Sequence, residues 1–363
     1  MRAINFSAGP AGLPLPAMEL AQREFLDFEG TGMSIMEQSH RGKAYDAVHA
    51  EAEALLRGLL NVPAEDHVLF LQGGASQQFA TVPLNLLRPG TSADYIVTGG
   101  WSEKALEEAQ RIGTARAAAS TRDADGRYAR IPTQAELDLD PRAAYVHITT
   151  NNTLFGTQWH HLPDVGGVPL IGDLSSDFLW QPTDISPYSL IYAGAQKNIG
   201  PSGVVVVIVK QVLLEQMRDD IPVIWRYKTH AQQRSLYHTP PTFSVYMIRN
   251  VLRWLRDIGG LAEVAHRNRE KARLLYAAID ARPDLYRCPV APADRSTMNV
   301  VFRLPTAALE DLFVKRAEAA GMVGLRGHRS VGGLRASIYN AVSVEDVAAL
   351  TDLMDAFAQH PSA

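Results

Sequence analysis

Residues 191–210 read IYAGAQKNIGPSGVVVVIVK, and two features of that stretch decide how the chain folds. The run VVVVIV at 204–209 has no polar residue, so a strand built from it is buried on both faces. It is strand-sized, far short of the roughly 20 apolar residues that span a bilayer. Just before it stands Lys197, flanked by alanine, glycine and glutamine with no acidic neighbour. A charge in that setting needs a chemical reason.

Working outward, the segment DHVLFLQGGASQQFATVPLNLL predicts a buried strand at 67–72, a glycine turn, and a helix from near Ser76. ADYIVTGGWSEKALEEAQRIG repeats that order, with a strand near 94–98 and a helix from Ser102. AAYVHITTNNTLFGT, VPLIGDLSSDF and SLIYAGAQK each add a short apolar run ending in polar residues. Doubly buried strands alternating with helices give the α/β class, with a mostly parallel central sheet between helices.

IPVIWRYKTHAQQRSLYHTPPTF, polar and proline-bearing, is expected to be a long ordered loop. Two helical stretches follow, divided at Gly259 and Gly260. Beyond them MNVVFRL, TAALEDLFVKRAEAAG, LRASIYN and a last helix from about Val344 make a small C-terminal α+β unit. The expected division is residues 1–15 packing with the small domain, 16–258 as the large domain, and 259–363 as the small one.

The bulk numbers exclude several classes. With 35 basic and 39 acidic residues among 363, the formal charge of −4 draws the chain to neither nucleic acid nor an anionic membrane. Cys288 is the only cysteine, which excludes an intrachain disulfide and any multi-cysteine metal site and suits a reducing cytoplasm. MRAINFSAGPAGLPLP lacks a signal-peptide apolar core, so a cytoplasmic location with no metal is expected.

A desolvated lysine among small residues has the lowered pKa of a nucleophile that bonds a carbonyl, which points to pyridoxal phosphate. That cofactor needs a carboxylate at its ring nitrogen, and Asp173 ends the strand VPLIGD. It needs helix-start amides for its phosphate, which QGGASQQF supplies at Ala75 and Ser76. The P-loop and dinucleotide spacings are both missing there, which disfavours a nucleotide-binding module. Trp101 stands at the equivalent turn after the next strand, where its ring could stack on the cofactor, Thr153 could bond the ring hydroxyl, and Gln196 could donate to the phosphate. SHRGKAY and GHRSVGGLRASIYN contribute His40, Arg41, His328, Arg329 and Arg335, a local cationic set suited to a substrate with two anionic ends.

Five ordered blocks, NFSAGP, SHRGK, YAGAQKNIGPSG, TPPTF and GHRSVGGLRASIYNA, resemble the phosphoserine aminotransferase family within the class V aminotransferases. The resemblance implies a fold-type I pyridoxal-phosphate enzyme and a homodimer with shared active sites. It implies amino transfer from L-glutamate to 3-phosphohydroxypyruvate, and in many bacteria action on 4-phosphohydroxy-L-threonine for pyridoxine synthesis. By position, Lys197 matches the cofactor-bonding lysine, Asp173 the ring-nitrogen partner, Trp101 the stacking residue and Thr153 the ring-hydroxyl contact. Ala75, Ser76 and Gln196 match phosphate ligands, and His238 and Thr239 the segment reaching the neighbouring subunit's cofactor phosphate. Arg41 matches a substrate-binding arginine and Arg335 the α-carboxylate clamp, with His40, His328 and Arg329 around the distal anion. The chain departs from the family at His238, often asparagine, and at Ala75-Ser76, where some members have Gly-Arg. A small amino acid:glyoxylate aminotransferase is the alternative; a desulfurase would need a reactive cysteine, which LYRCPVAP does not suggest.

Overall fold

A computed structural model describes residues 2–360. The chain opens with β1 (Ile4–Asn5), α1 (Leu15–Arg23) and α2 (Lys43–Leu60), then alternates through β2 (His67–Gln72), α3 (Ala75–Leu86), β3 (Ser92–Val97), α4 (Gly100–Ile112) and β4 (Thr114–Ser120). Four strands follow, β5 (Val146–Thr149), β6 (Leu170–Asp173), β7 (Tyr188–Gly194) and β8 (Val204–Val209), then the short helices α5 (Gln211–Gln216) and α6 (Tyr227–Gln232). The long helices α7 (Thr242–Asp257) and α8 (Gly260–Asp280) lead into β9 (Asn299–Phe302), α9 (Ala307–Ala319), β10 (Met322–Val323), β11 (Leu334–Ser337) and α10 (Val344–Gln359).

The central sheet runs β2-β8-β7-β6-β5-β3-β4. Its pairs are parallel except those made by β8, which is antiparallel to both β2 and β7. The valine run is thus the one reversed strand, and all its residues are buried. One sheet face packs on α1, α2 and α7 through Ala17, Tyr45, Leu56 and Leu252. The other packs on α3, α4 and α5 through Phe79, Val82, Ala105 and Leu213. With both faces covered, β2, β3, β5, β6 and β7 end on one edge of the sheet, where α/β proteins place their ligands.

A third core joins α8, α9, α10, β9 and β11. The start of the chain belongs to it: β1 pairs in parallel with β10, Ile4 opposite Met322, and Phe6 is fully buried there. Gly324 is required at that junction. Its φ is +82°, and a Cβ would lie 2.6 Å from the Ser7 backbone nitrogen.

The segment expected as a loop at 221–243 contains a 3-10 turn at Val223–Trp225 and then α6. Tyr227, His230 and Ala231 form a buried face at helical spacing, and the Tyr227 hydroxyl bonds Gln78 on α3. The helix α4 begins at Gly100, ahead of the expected Ser102. The Ser102 hydroxyl receives the Thr98 and Gly99 amides and donates to Gly99 O at 2.7 Å, so it caps the turn from within.

Lys271 on α8 is fully buried and donates to the carbonyls of Ile338, Tyr339 and Val342 at 2.8–2.9 Å. Burial pulls its pKa down to about 7, yet three donations use all three N–H bonds of an ammonium, so these bonds hold the charged form. Lys271→Met would orphan the three carbonyls. We expect a loss on the order of 3 kcal/mol, read as an earlier urea midpoint at pH 6.5, whereas an unchanged midpoint would contradict this account.

Candidate active site

A cavity of about 480 Å³ opens where the parallel strands end. Lys197, in the turn after β7, is buried, and its Nζ donates to the Thr153 hydroxyl at 2.7 Å. Burial lowers its pKa from 10.5 to about 8; Asp173 and Asp177 oppose the shift and Arg335 adds to it. Asp173, the last residue of β6, is also buried and accepts the Ser175 amide on Oδ1 at 2.9 Å. Burial raises its pKa, with the Ser175 hydrogen bonds and the Lys197 charge opposing. The two charged groups share the cavity without an ion pair among the described residues.

Gly73, Gly74, Ala75 and Ser76, at the start of α3, line the cavity together. Gly73 has φ +100°, and a Cβ there would overlap the Gln77 side chain. Added at Gly74 or at Gly203, a Cβ would meet nothing within 4 Å, so open space lies beside the Ala75 and Ser76 amides, which stand at the helix start where geometry supplies no carbonyl partner. Trp101 lines a wall from the first turn of α4. Its Nε1 is buried without a partner, and Lys104 Nζ sits 4.7 Å from its ring centroid.

Arg335 on β11 reaches the cavity from the C-terminal unit, donating from Nη1 to Thr153 O at 3.2 Å while Nε stays buried and unpaired. Burial lowers its pKa. His328 lines the rim with Nδ1 2.7 Å from Ser330 Oγ, its pKa lowered by burial and then by Arg335, Arg329 and Lys104.

The structure therefore gathers Lys197, Asp173, Ala75, Ser76, Trp101, Thr153, Gln196, His328 and Arg335 around one cavity. The remaining residues singled out from sequence do not line it. Arg329 is exposed. His40 and Arg41 sit ahead of α2 and contact each other at 3.3 Å. His238 packs against His230, ring centroids 5.7 Å apart, while Thr239 O accepts Gln72 Nε2 at 2.6 Å.

Other lining residues had no role assigned from sequence: Gly9, Phe79, Asn151, Ser176 and Gly203. NFSAGP carries the clearest missed signal. A Cβ on Gly9 would stand 3.5 Å from both the Gln196 and Lys197 side chains, so the chain's start packs directly over the lysine. A larger hollow of about 780 Å³, lined by Leu59, Tyr188, Ile208 and Lys210 among others, contains none of the singled-out residues.

The donor set fits pyridoxal phosphate: a buried amine for its aldehyde, a buried carboxylate for its ring nitrogen, helix-start amides for its phosphate and an indole for its ring face. Residues 3–350 match the family model described as Aminotransferase class-V. The phosphoserine aminotransferase of Halalkalibacterium halodurans is 54% identical over 99% of both chains. The chain belongs to the class-V aminotransferases, among the phosphoserine aminotransferases. The solved structure of phosphoserine aminotransferase from Bacillus circulans subsp. alkalophilus superposes with a TM-score of 0.96 at 52% identity, covering 99% of each chain. That of the PLP-bound enzyme from Trichomonas vaginalis gives 0.93 at 37%, covering 98% of this chain and all of that one. This aminotransferase thus has the fold-type I architecture and uses pyridoxal phosphate. No helix among the described residues is long and apolar enough to cross a membrane.

A pKa near 8 makes roughly a tenth of Lys197 neutral at pH 7, against well under 0.1% for an ordinary lysine. The neutral amine is the nucleophile, so capture of pyridoxal phosphate by cofactor-free protein should accelerate with pH and level off above about 8. Stopped-flow absorbance would read this; a rate still climbing tenfold per unit between pH 9 and 10 would contradict it.

Proposed function

We propose that this aminotransferase moves the amino group of L-glutamate to 3-phosphohydroxypyruvate, giving O-phospho-L-serine and 2-oxoglutarate. The observation that carries the chemistry is the pair Lys197 and Asp173, both buried in one cavity and unpaired with each other. Bound pyridoxal phosphate supplies an aldehyde that bonds amines and a ring that stores the electron pair left when a substrate Cα loses its proton. With the cofactor bound, Lys197 Nζ would be placed to take and return the substrate Cα proton, general acid–base catalysis by an amine already in place. Asp173 would hold the proton on the ring nitrogen. Trp101 would orient the ring, Thr153 its hydroxyl, and Ala75, Ser76 and Gln196 its phosphate.

Arg335 is the α-carboxylate clamp in this reading. Its orphaned Nε and its hold on the Thr153 carbonyl leave a planar fork facing the cavity. His328 and Arg329, with His40 and Arg41, receive the distal phosphate. His40, Arg41, His238 and Thr239 act from the second subunit of a homodimer. Their position outside the cavity supports this, as does the exposed apolar surface of Leu15, Met18, Phe25, Leu26, Met33 and Met36. The large and small domains divide at Gly259, the chain works in the cytoplasm, and 4-phosphohydroxy-L-threonine is a second substrate.

The half-reaction tests the substrate: phosphoserine should convert the yellow enzyme to its bleached form at least ~1,000-fold more efficiently than serine, because a cationic pocket closed by the second subunit rejects the uncharged analogue. Equal efficiency would support a small amino acid:glyoxylate aminotransferase instead. Lys197→Ala should bind cofactor without turnover. Mixing Lys197→Ala with Arg41→Ala should restore activity, since a hybrid dimer has one site with neither defect; a mixture as inactive as its parts would refute the shared site.

A further inference from the structure

A second carboxylate lies behind the first. Asp177, in the turn after β6, is 5% exposed, and no lysine or arginine pairs with it among the described residues. Its Oδ2 accepts Gln158 Nε2 at 3.2 Å, and the orientation of that amide is fixed because Gln158 Oε1 accepts the Thr297 amide at 2.9 Å. Its Oδ1 lies 2.6 Å from the Thr150 hydroxyl, which is itself 3.2 Å from the Asp173 carbonyl. Thr150 has one hydroxyl proton, so it serves Asp177 when that group is ionised. When Asp177 is neutral it donates to Thr150, which then donates to Asp173 O.

Asp177 also lines a separate cavity of about 210 Å³, walled by Trp159, Trp180 and Tyr188 and reaching His160 and Asp184. This gives the carboxyl a route to exchange protons that does not cross the substrate cavity. Burial pushes its pKa up to about 7; the Thr150 and Gln158 hydrogen bonds oppose the shift, and the neighbouring Asp173 charge adds to it. The titratable groups facing it are Asp173, Lys197, Tyr188 and Tyr339, with His160 and Asp184 across the cavity.

We infer that Asp177 is a positioning residue that sets the charge of the site, supplying a second negative charge behind Asp173 that the Thr150 and Gln158 hydrogen bonds hold in place. The inference rests on the reading that Lys197 and Asp173 hold pyridoxal phosphate. Ionised Asp177 would stabilise positive charge held in the cavity, at the Lys197 nitrogen and, with the cofactor bound, at its ring nitrogen. It touches neither substrate nor cofactor, so its loss tunes the enzyme without abolishing turnover.

Asp177→Asn isolates the charge, because its Nδ2 can donate to Thr150 while its Oδ1 accepts from Gln158, reproducing the contacts of the neutral acid. The measurement is a pH titration of the visible absorbance of holoenzyme, with wild type, Asp177→Asn, Thr150→Ser and Lys197→Ala compared. Asp177→Asn should move the midpoint down by about one pH unit, while Thr150→Ser, which keeps both the charge and the hydroxyl bonded to it and removes only a methyl group, should leave it near wild type. Coincident midpoints for wild type and Asp177→Asn would overturn the inference. So would an equal shift in Thr150→Ser, which would make the effect one of packing. A wild-type spectrum with no Lys197-dependent band would overturn the cofactor reading, and the charge-setting role with it.

Discussion

An amine buried without a counter-ion is the constraint on which the rest of this structure depends. Pairing Lys197 directly with a carboxylate would relieve its desolvation but would also fix its proton and raise its pKa. The fold instead gives Nζ only a hydroxyl, that of Thr153, and keeps Asp173 in the same cavity without contact. A doubly covered sheet supplies the dry surroundings, and the strand ends supply the spacing. The cost of desolvation is met by the packed cores on both faces, far from the chemistry.

The same economy governs the cationic side. Arg335 enters from β11 with one nitrogen on a backbone carbonyl and another unpaired, so its fork is held open instead of being neutralised by an acid. Elsewhere in the chain arginines are closed on carboxylates, as Arg253 is on Glu51 and Arg295 on Asp280. The contrast separates arginines that hold the molecule together from one that is left available to an anion.

Much of this was legible in sequence because the central strands are doubly buried and end in polar residues, so composition marks both the strand and its functional end. β2, β6, β7 and β8 were readable for that reason, and with them Asp173 and Lys197. α6 was hidden because its buried face is made of Tyr227 and His230, residues that read as polar loop until their partners are seen. Asp177 was hidden because a carboxylate directly after a pair of serines reads as a turn, and only the fold turns it inward towards Thr150 and Gln158. His40, Arg41, His238 and Thr239 carry motifs that the fold places outside this cavity.

The pairing of β1 with β10 also ties the chemistry to a distant core. Gly9 packs over Lys197, and Ala8 O accepts the Tyr339 hydroxyl at 2.9 Å, so the segment ahead of α1 that covers the lysine is itself held by the C-terminal core. Local opening of that core would loosen the cover, admit water to the amine and return its pKa towards an ordinary lysine's. The reactivity of one side chain is thereby tied to the cohesion of a core far along the chain.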